Sequence, residues 1–233
     1  MSAISREDFR KYMTDYLATE LGSREAAESL VPALMESALC WRPDAVPAAK
    51  INRIIAYAFG NRSGPKDPKA LPFPGPMNEE LADTVMRVHK LKPVRIYAQW
   101  EIARFLTDKH GLKDVVSIEP VARPDGTLEY LSTDGVARSI IAQDGGDATA
   151  MGIVAVVAHA DHVQRCVDWS RLRGINAYVA KEVPMPAPYD PLSGQDWTRR
   201  RDLYLLHDVL TRLSLVRSQA MAKAASEAAT AAV

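Results

Sequence analysis

The pattern of apolar and polar positions is most regular in the last third of the chain, where it predicts a strand, a helix and a second strand. An uninterrupted apolar run at residues 153–157 is rich in β-branched side chains, which is typical of a strand buried on both faces of a parallel sheet. Apolar positions then recur at helical spacing as far as Gly174, and a second apolar run follows at residues 175–179. Ligands of such sheets bind beyond the carboxyl ends of the strands. The polar segment after the first run, residues 158–165, is therefore a candidate site.

The same alternation extends over most of the chain. Strand-like runs cover residues 51–59, 94–98, 115–118, 153–157 and 175–179, and helical patterns separate them. Asn78 and Ser132 precede two of these helical patterns and are predicted N-caps. The order predicts an α/β fold, a Rossmann-like three-layer sandwich with a mostly parallel sheet, a helical N-terminal extension and a C-terminal helix.

The sequence divides into three predicted parts. Residues 1–48 form a helical extension, residues 49–215 the α/β domain, and residues 216–233 an alanine-rich tail that is expected to fray. In the extension, an aromatic stripe that includes Tyr12 and Tyr16 is expected to face a core. Pro32 should break or kink the second helical pattern, or mark the first turn of a third helix. The extension is also a candidate surface for homo-oligomer formation.

Composition and charge narrow the class of protein. Lys and Arg number 29, and Asp and Glu also number 29, so no net field favours nucleic acid or an anionic membrane. Cys40 and Cys166 lie far apart and form no motif, and Cys166 is expected to be a buried, reduced thiol. No apolar segment approaches the ~18 residues that a membrane span needs. The expectation is a cytoplasmic protein that binds neither nucleic acid nor membrane.

The segment His159-Ala-Asp161-His162-Val-Gln-Arg165 admits three interpretations. It matches the second half of the HxHxDH run of metallo-β-lactamase-like hydrolases, but Val157 stands in place of the first histidine, so no metal is expected. His162 and Arg165 share a helix face near a helix N-terminus, which favours binding of an anion. In a purely structural interpretation, Asp161 caps the helix, His162 bonds a loop carbonyl and Arg165 lies on the surface.

Other candidate residues also follow predicted strands. A loop of Gly60, Asn61 and Arg62 ends the first run and could approach an anion closely, because glycine permits the approach and the other two supply donors. Glu101 lies at the start of the helix after the second run, and Glu119 ends the third. A Pro-rich loop at residues 65–76 is a candidate for a lid or binding edge or for a stiff surface connector, and residues 184–195 form a second Pro-rich loop.

The segment VVAHADHVQRC, residues 156–166, resembles the signature of the YdcF/SanA/ElyC-like family, in which a buried strand is followed by a His and then an Arg three residues later. His162 and Arg165 stand at those positions, and the resemblance extends over residues 51–180. The matching strand-end features are the loop from Phe59 to Arg62, the helix start at Glu101, the strand end at Glu119 and the Ser132-Thr133 cap. The resemblance implies a Rossmann-like fold with a ligand cleft at the carboxyl ends of the strands. It also implies a ligand pocket unlike the family's, since Ala98-Gln99-Trp100 replaces a Ser-Gly-Gly sequence.

Taken together, these features predict a cytoplasmic enzyme that acts on a small phosphorylated or carboxylated metabolite by hydrolysis or group transfer. His162 would be the general acid/base or oxyanion donor, and Glu101 or Glu119 its carboxylate partner. The substrate-binding residues would be Gly60, Asn61, Arg62, Thr133, His159 and Arg165. The alternative is a non-catalytic protein that binds a nucleotide or S-adenosylmethionine, and the sequence leaves both open.

Overall fold

The computed structural model describes residues 4–67 and 69–231. Residues 1–3, Pro68 and residues 232–233 belong to the predicted extension, the first Pro-rich loop and the predicted tail, and they lie outside the described residues. The described chain divides into two compact units, residues 4–41 with 206–231, and residues 42–205. None of the described helices combines the length and apolarity that crossing a bilayer requires.

The first unit begins with two helices, α1 (Arg6–Leu21) and α2 (Arg24–Leu39), which pack against each other. Their serine caps follow from the sequence: the Ser5 and Ser23 hydroxyls accept hydrogen bonds from the third backbone N–H that follows each of them. α2 continues through Pro32, so the predicted break and the predicted start of a third helix do not occur there.

The aromatic stripe of α1 is only partly covered, since its two tyrosines are exposed while Phe9 is half-buried. Tyr12 and Tyr16 are 63% and 57% exposed, and their rings stack on each other with centroids 6.5 Å apart. The expectation of burial was wrong because an apolar stripe records only which residues share a face. It does not show whether another element covers that face.

The second unit contains most of the strands. In chain order these are β1 (Ala45–Val46), β2 (Arg53–Ala56), β3 (Arg95–Gln99), β4 (Val115–Ile118), β5 (Val121–Ala122), β6 (Leu128–Glu129), β7 (Ile153–Val157) and β8 (Asn176–Ala180). Six of them form a parallel sheet in the order β1-β8-β7-β2-β3-β4, and β5 and β6 pair as a separate antiparallel hairpin. The predicted α/β, Rossmann-like class is confirmed.

Helices cover both faces of the sheet. In chain order these are α3 (Pro76–Leu91), α4 (Trp100–Asp108), α5 (Thr133–Gln143) and α6 (Val163–Leu172), and α7 (Arg201–Ala231) begins in this unit. One core lies between the sheet and α3 and α4, and a second lies between the sheet and α5 and α6. The strands are buried on both faces, which explains why they read as continuous apolar runs. Cys166 is fully buried in the second core and takes part in no disulfide, as expected.

The predicted helix boundaries were partly right. The Ser132 hydroxyl accepts a hydrogen bond from Gly135 N–H and caps α5, which confirms that prediction. Asn78 is not a cap, since α3 begins at Pro76 after Gly75, and its side chain bonds the loop after β2 instead. The alanine-rich segment expected to fray is helical in α7 as far as Ala231. β1 falls within the segment predicted to be helical.

Candidate functional site

The strand order fixes where a ligand crevice is expected. β2 and β7 are neighbours, but the helix after β2 covers one face of the sheet and the helix after β7 covers the other. Ligands of doubly wound sheets bind outside the carboxyl ends of the strands at such a switch point. The residues that follow these two strands are Phe59 to Asn61 and His159 to His162. The main site residues that were predicted from the sequence therefore lie at the switch point.

His159 is fully buried, and both of its ring nitrogens are engaged. Nδ1 accepts a hydrogen bond from Asp161 N–H at 3.2 Å, which puts the proton on Nε2, and Nε2 lies 3.0 Å from the carbonyl oxygen of Pro188. Its ring stacks on Phe59 with centroids 3.9 Å apart. Burial lowers the pKa of His159, so the ring is neutral at pH 7. This arrangement suits a packing role and leaves no ring nitrogen for a ligand.

The structural interpretation required Asp161 to cap α6, but Asp161 is not the cap. The N-cap of α6 is His162, which makes no side-chain capping bond. The Asp161 carboxylate instead forms a two-point ion pair with Arg201, at 2.9 and 3.0 Å, and accepts a hydrogen bond from the Tyr189 hydroxyl at 2.8 Å. Its charge is matched by a residue that is distant in sequence, which local capping rules cannot reveal.

His162, Arg165 and Thr133 are brought together. The Arg165 guanidinium donates to the Tyr204 hydroxyl at 3.0 Å and lies 3.4 Å from Thr133 Oγ1. The ring of His162 lies edge-on to that of Tyr204, with centroids 5.9 Å apart. His162 and Arg165 are both buried, so the structural interpretation was also wrong in placing Arg165 on the surface. Three of the predicted site residues thus share one cluster.

The loop after β2 is covered by the chain itself. The segment between β8 and α7, residues 181–200, crosses the carboxyl ends of β2 and β7 and is called the strap below. Asn61 C=O accepts a hydrogen bond from Gly194 N–H at 2.6 Å, and Ala160 N–H donates to the carbonyl of Pro186 at 2.8 Å. Arg62, a predicted anion clamp, forms a two-point ion pair with Asp190 at 2.9 and 3.3 Å. An anion at Arg62 would have to displace that carboxylate.

Glu101 has the most unusual environment of the predicted residues. It lies in the first turn of α4, just beyond the carboxyl end of β3, and is 2% exposed. No donor among the described residues reaches its Oε2 atom. Burial first, and then repulsion by Glu119, raise the pKa of the Glu101 carboxyl to about 8. Glu101 is therefore mostly a neutral carboxylic acid at pH 7.

Two aromatic residues flank this carboxyl. The rings of Trp100 and Tyr130 meet edge to face, with centroids 6.4 Å apart. Burial first, and then the negative charge of the Glu101 carboxyl, raise the pKa of the Tyr130 hydroxyl above its ordinary value.

Glu119, the other predicted carboxylate, is in an ordinary setting. Its side chain is 44% exposed, accepts from the Ser117 hydroxyl at 2.7 Å and pairs with Arg104 at 3.1 Å. An exposed ion pair of this kind stabilises a protein by at most about 1 kcal/mol. Of the two carboxylates that the sequence could not tell apart, Glu101 is the buried one.

A separate cavity of about 690 Å³ lies at the opposite end of the sheet. Its lining comes from the amino ends of β3 and β4 and from the segments before them, including His89, Arg95 and Leu112. Parallel sheets of this class bind ligands at the carboxyl ends of the strands. The cavity is thus remote from the predicted residues. Within residues 4–67 and 69–231, no three His, Cys, Asp or Glu side chains are grouped so that they could hold a metal ion.

Comparison with known proteins adds no further information about this site. No protein-family model matches the chain, and searches of curated proteins and of solved structures gave no significant match. The resemblance to the YdcF/SanA/ElyC-like family therefore stays a prediction.

Sequence reasoning missed three residues of the site. Tyr204 contacts Arg165 from α7, and Trp100 and Tyr130 flank Glu101. For Trp100 a signal existed, because it adjoins Glu101 at a predicted strand end. Tyr204 and Tyr130 approach the site only through tertiary packing, and no local pattern distinguishes them.

Proposed function

We propose that the protein is an enzyme that transfers a proton to or from a small anionic metabolite during hydrolysis or group transfer, with Glu101 as the general acid. The observation that carries this proposal is the buried carboxyl of Glu101, whose Oε2 accepts no hydrogen bond from any described residue. The carboxyl lies at the carboxyl end of a parallel strand, where ligands of such sheets bind.

Burial of the Glu101 carboxyl without a hydrogen-bond donor from the described residues at Oε2 costs free energy. A buried polar group without a partner costs about 1–3 kcal/mol, and buried glutamates are usually paired. A structural role would favour replacing Glu101 by an apolar residue, whereas a general acid requires a carboxyl here. A pKa of about 8 also lies near neutral pH, where an acid can both hold and release its proton.

The anionic character of the ligand is supported by the neighbouring cluster. Arg165 carries a permanent charge, and it lies with Thr133 and His162 close to the start of α6. Cationic side chains and helix N-termini favour anions. His162, beside them, would stabilise charge that develops on the reacting group.

The test is a ligand and turnover screen with matched variants. Phosphate esters, carboxylic esters, nucleotides and S-adenosylmethionine are tested first for a rise in melting temperature, and the stabilising ligands are then tested for turnover by mass spectrometry. Glu101→Gln should lower kcat by about 10²- to 10⁴-fold while ligand stabilisation is retained. Glu79→Gln, which alters an exposed ion pair with Lys109, is the control and should leave kcat near the wild-type value.

Two outcomes would contradict the proposal. Full turnover by Glu101→Gln would remove Glu101 from the chemistry. Tight binding of a nucleotide or of S-adenosylmethionine by the wild-type protein, with no turnover of any ligand, would favour the alternative of a non-catalytic binding protein.

A further inference from the structure

The carboxylate of Asp190 is bound by Arg62 in the way that the anionic group of a ligand would be. Its two oxygens lie 2.9 and 3.3 Å from Nε and Nη2 of the guanidinium, which is the two-point geometry by which arginine binds carboxylates and phosphates. The Asp190 side chain is 8% exposed, whereas that of Arg62 is 45% exposed. The anion of this pair is therefore enclosed, while the cation stays accessible from solvent.

Arg62 is held in place by a segment other than the strap. Its backbone N–H donates to the carbonyl of Phe73 at 2.8 Å, and its own carbonyl accepts from Phe73 N–H at 3.0 Å. Phe73 belongs to the first Pro-rich loop, just before α3. Arg62 also forms an antiparallel bridge with Ser193 of the strap. If the strap moved away, the two bonds to Phe73 would keep the backbone of Arg62 in position.

The two halves of the strap are fastened to different strand ends. In the first half, residues 181–189, the carbonyls of Pro186 and Pro188 accept hydrogen bonds from the segment after β7. Residues 190–195 are bonded instead to the loop after β2. There Gly194 N–H and the Ser193 hydroxyl both donate to the carbonyl of Asn61, at 2.6 and 3.1 Å. Residues 190–195 can therefore detach while the first half remains bound.

The closed strap leaves no room for a ligand at the loop after β2. The space between this loop, the start of α3 and the strap is too small to admit a water molecule. The hydroxyl oxygens of Ser193 and Thr198 lie so near Gly60 that not even a Cβ atom would fit between them. A ligand can enter this end of the crevice only when residues 190–195 move away.

We propose that residues 190–195 form an autoinhibitory lid. The Asp190 carboxylate occupies an anion subsite at Arg62, and a phosphate or carboxylate group of the ligand opens the lid by replacing it there. The lid rests on the proposed function, because the ligand that opens it is the same small anionic metabolite.

Charge balance selects an anion as the group that opens the lid. A neutral group in the place of Asp190 would leave the guanidinium of Arg62 without a counter-ion, whereas a phosphate or carboxylate preserves the pairing. The released Asp190 exchanges an enclosed position for water, in which a carboxylate is well solvated. The neighbouring arginines Arg199 and Arg201 already form ion pairs with other carboxylates. The incoming anion is therefore directed to Arg62.

The experiment measures the binding of inorganic phosphate to the full-length protein by isothermal titration calorimetry. Asp190→Asn keeps the shape of the side chain and removes its charge, so the lid opens more often and phosphate should bind about tenfold more tightly than to wild type. Asp196→Asn is the matched control: it removes the same charge from an exposed ion pair with Arg199 in the strap, and it should bind phosphate as wild type does. Addition of Arg62→Gln to Asp190→Asn should abolish the gain. Acetate, titrated in parallel, shows whether the subsite prefers a carboxylate or a phosphate.

A second measurement needs no variant and covers the case in which Asp190→Asn fails to fold. Excess phosphate should speed amide hydrogen exchange of residues 190–195 in the wild-type protein, while the amides of Arg62 and Phe73 keep their protection. Three results would overturn the lid. These are equal phosphate affinities of Asp190→Asn and Asp196→Asn, a gain that persists when Arg62→Gln is added, and exchange of residues 190–195 that phosphate slows or leaves unchanged.

Turnover separates this inference from the proposed function. Where a substrate is found, Asp190→Asn should lower KM more than it changes kcat, because it removes a competitor of the ligand. If phosphate binding depends on Asp190 as expected but no ligand in the screen is turned over, the proposed function fails and the lid stands. If Glu101→Gln abolishes turnover but Asp190→Asn alters neither KM nor phosphate binding, the lid fails and the proposed function stands.

Discussion

Glu101 and Glu119 show how strongly the environment of a residue decides its chemistry. The two carboxyls lie near enough for Glu119 to raise the pKa of Glu101. Glu119 is paired with Arg104 and partly solvated, whereas Glu101 is enclosed beside Trp100 and Tyr130. Two carboxyls with different environments can take different roles in acid–base chemistry.

The raised pKa of Glu101 predicts a pH dependence of stability. The unfolded chain releases this proton near the ordinary value of 4.5, and the folded protein holds it until about pH 8. Between these values the folded state binds more protons, so its stability falls as pH rises, by roughly 1.4 kcal/mol per pKa unit of the shift. Glu101→Gln removes this loss. In denaturant titrations, the variant should gain stability relative to wild type from pH 4.5 to pH 8, and then the difference should stay constant.

The control for that measurement is Glu79→Gln, which alters an exposed ion pair with Lys109. Its stability difference from wild type should stay small over the same pH range. A flat difference for Glu101→Gln would contradict the raised pKa.

Gly60 offers a test of how tightly the strap packs on the loop after β2. Its φ of +67° disfavours any side chain, and an added Cβ would lie 2.7 Å from Thr198 Oγ1 and 2.8 Å from Ser193 Oγ. Gly60→Ala should therefore lower the free energy of unfolding by about 2–4 kcal/mol. Gly22→Ala is the matched control, because φ is +63° and no atom of the described residues lies within 4 Å of the added Cβ. That change should cost only about 1–2 kcal/mol.

At the residue scale, the predictions from sequence were wrong where a polar side chain binds a partner that is distant in sequence. Asn78 and Asp161 precede or begin helical patterns, and residues of their type are good caps. In the fold, the Asn78 side chain accepts from Phe59 N–H at 3.0 Å and donates to the carbonyl of Gly60 at 2.8 Å. Asp161 pairs with Arg201. Capping rules consider only the backbone groups next to a residue. They cannot predict that its side chain will instead bind a partner that is distant in sequence.

At the level of elements, the strap is the main addition to the predicted fold. Its prolines predicted only a loop at residues 184–195, and the strap lies over the ends of β2 and β7. Its charged anchor is the ion pair of Asp190 with Arg62, and Asp190 also accepts from Leu192 N–H at 3.0 Å. The Arg62 guanidinium holds the pKa of Asp190 below its usual range.

Removal of this anchor should loosen the strap without unfolding the domain. Asp190→Asn is expected to speed amide hydrogen exchange of residues 189–198, while β2 and β7 keep their protection. Asp196→Asn is the control, since Asp196 lies in the same segment but forms only an exposed pair with Arg199. Equal exchange rates in the two variants would show that Asp190 does not hold the strap.

Elements with a strong period were predictable, and very short ones were not. The five strands of the predicted βα alternation and the Ser132 cap follow from hydrophobic runs and capping chemistry that are local in sequence. β1 has only two residues, Ala45 and Val46, which is too few to show a period. It exists because β8 offers an edge on which it can pair.

At the scale of the whole molecule, the end of α7 is predicted to be dispensable for stability. The helix has 31 residues, but the side chains of residues 217–228 are all exposed. Deletion of the chain from residue 217 onward should change the free energy of unfolding by less than about 0.5 kcal/mol, because the side chains of residues 217–228 are exposed. Chemical denaturation at two protein concentrations tests this, since a midpoint that rises with concentration only in the full-length chain would indicate self-association through this helix.

The fold as a whole was predictable because five of the six strands of the parallel sheet, and the helices between them, carry hydrophobic patterns that are local in sequence. The site was predictable only in outline. The switch point follows from the order of the elements, but the burial of Glu101, the contact of Tyr204 with Arg165 and the position of Tyr130 depend on packing between distant segments.

The prolines of the strap also affect how readily a neighbouring chain could pair with it. Pro184, Pro186, Pro188 and Pro191 carry no backbone N–H. The carbonyl groups of Pro186 and Pro188 are turned inward to Ala160 and His159. An extended segment on the surface is a template on which a neighbouring chain can add a strand, but a template needs alternating donors and acceptors. The strap does not present donors and acceptors in this alternation, because its prolines lack N–H groups. It therefore covers the sheet ends without providing an edge for aggregation.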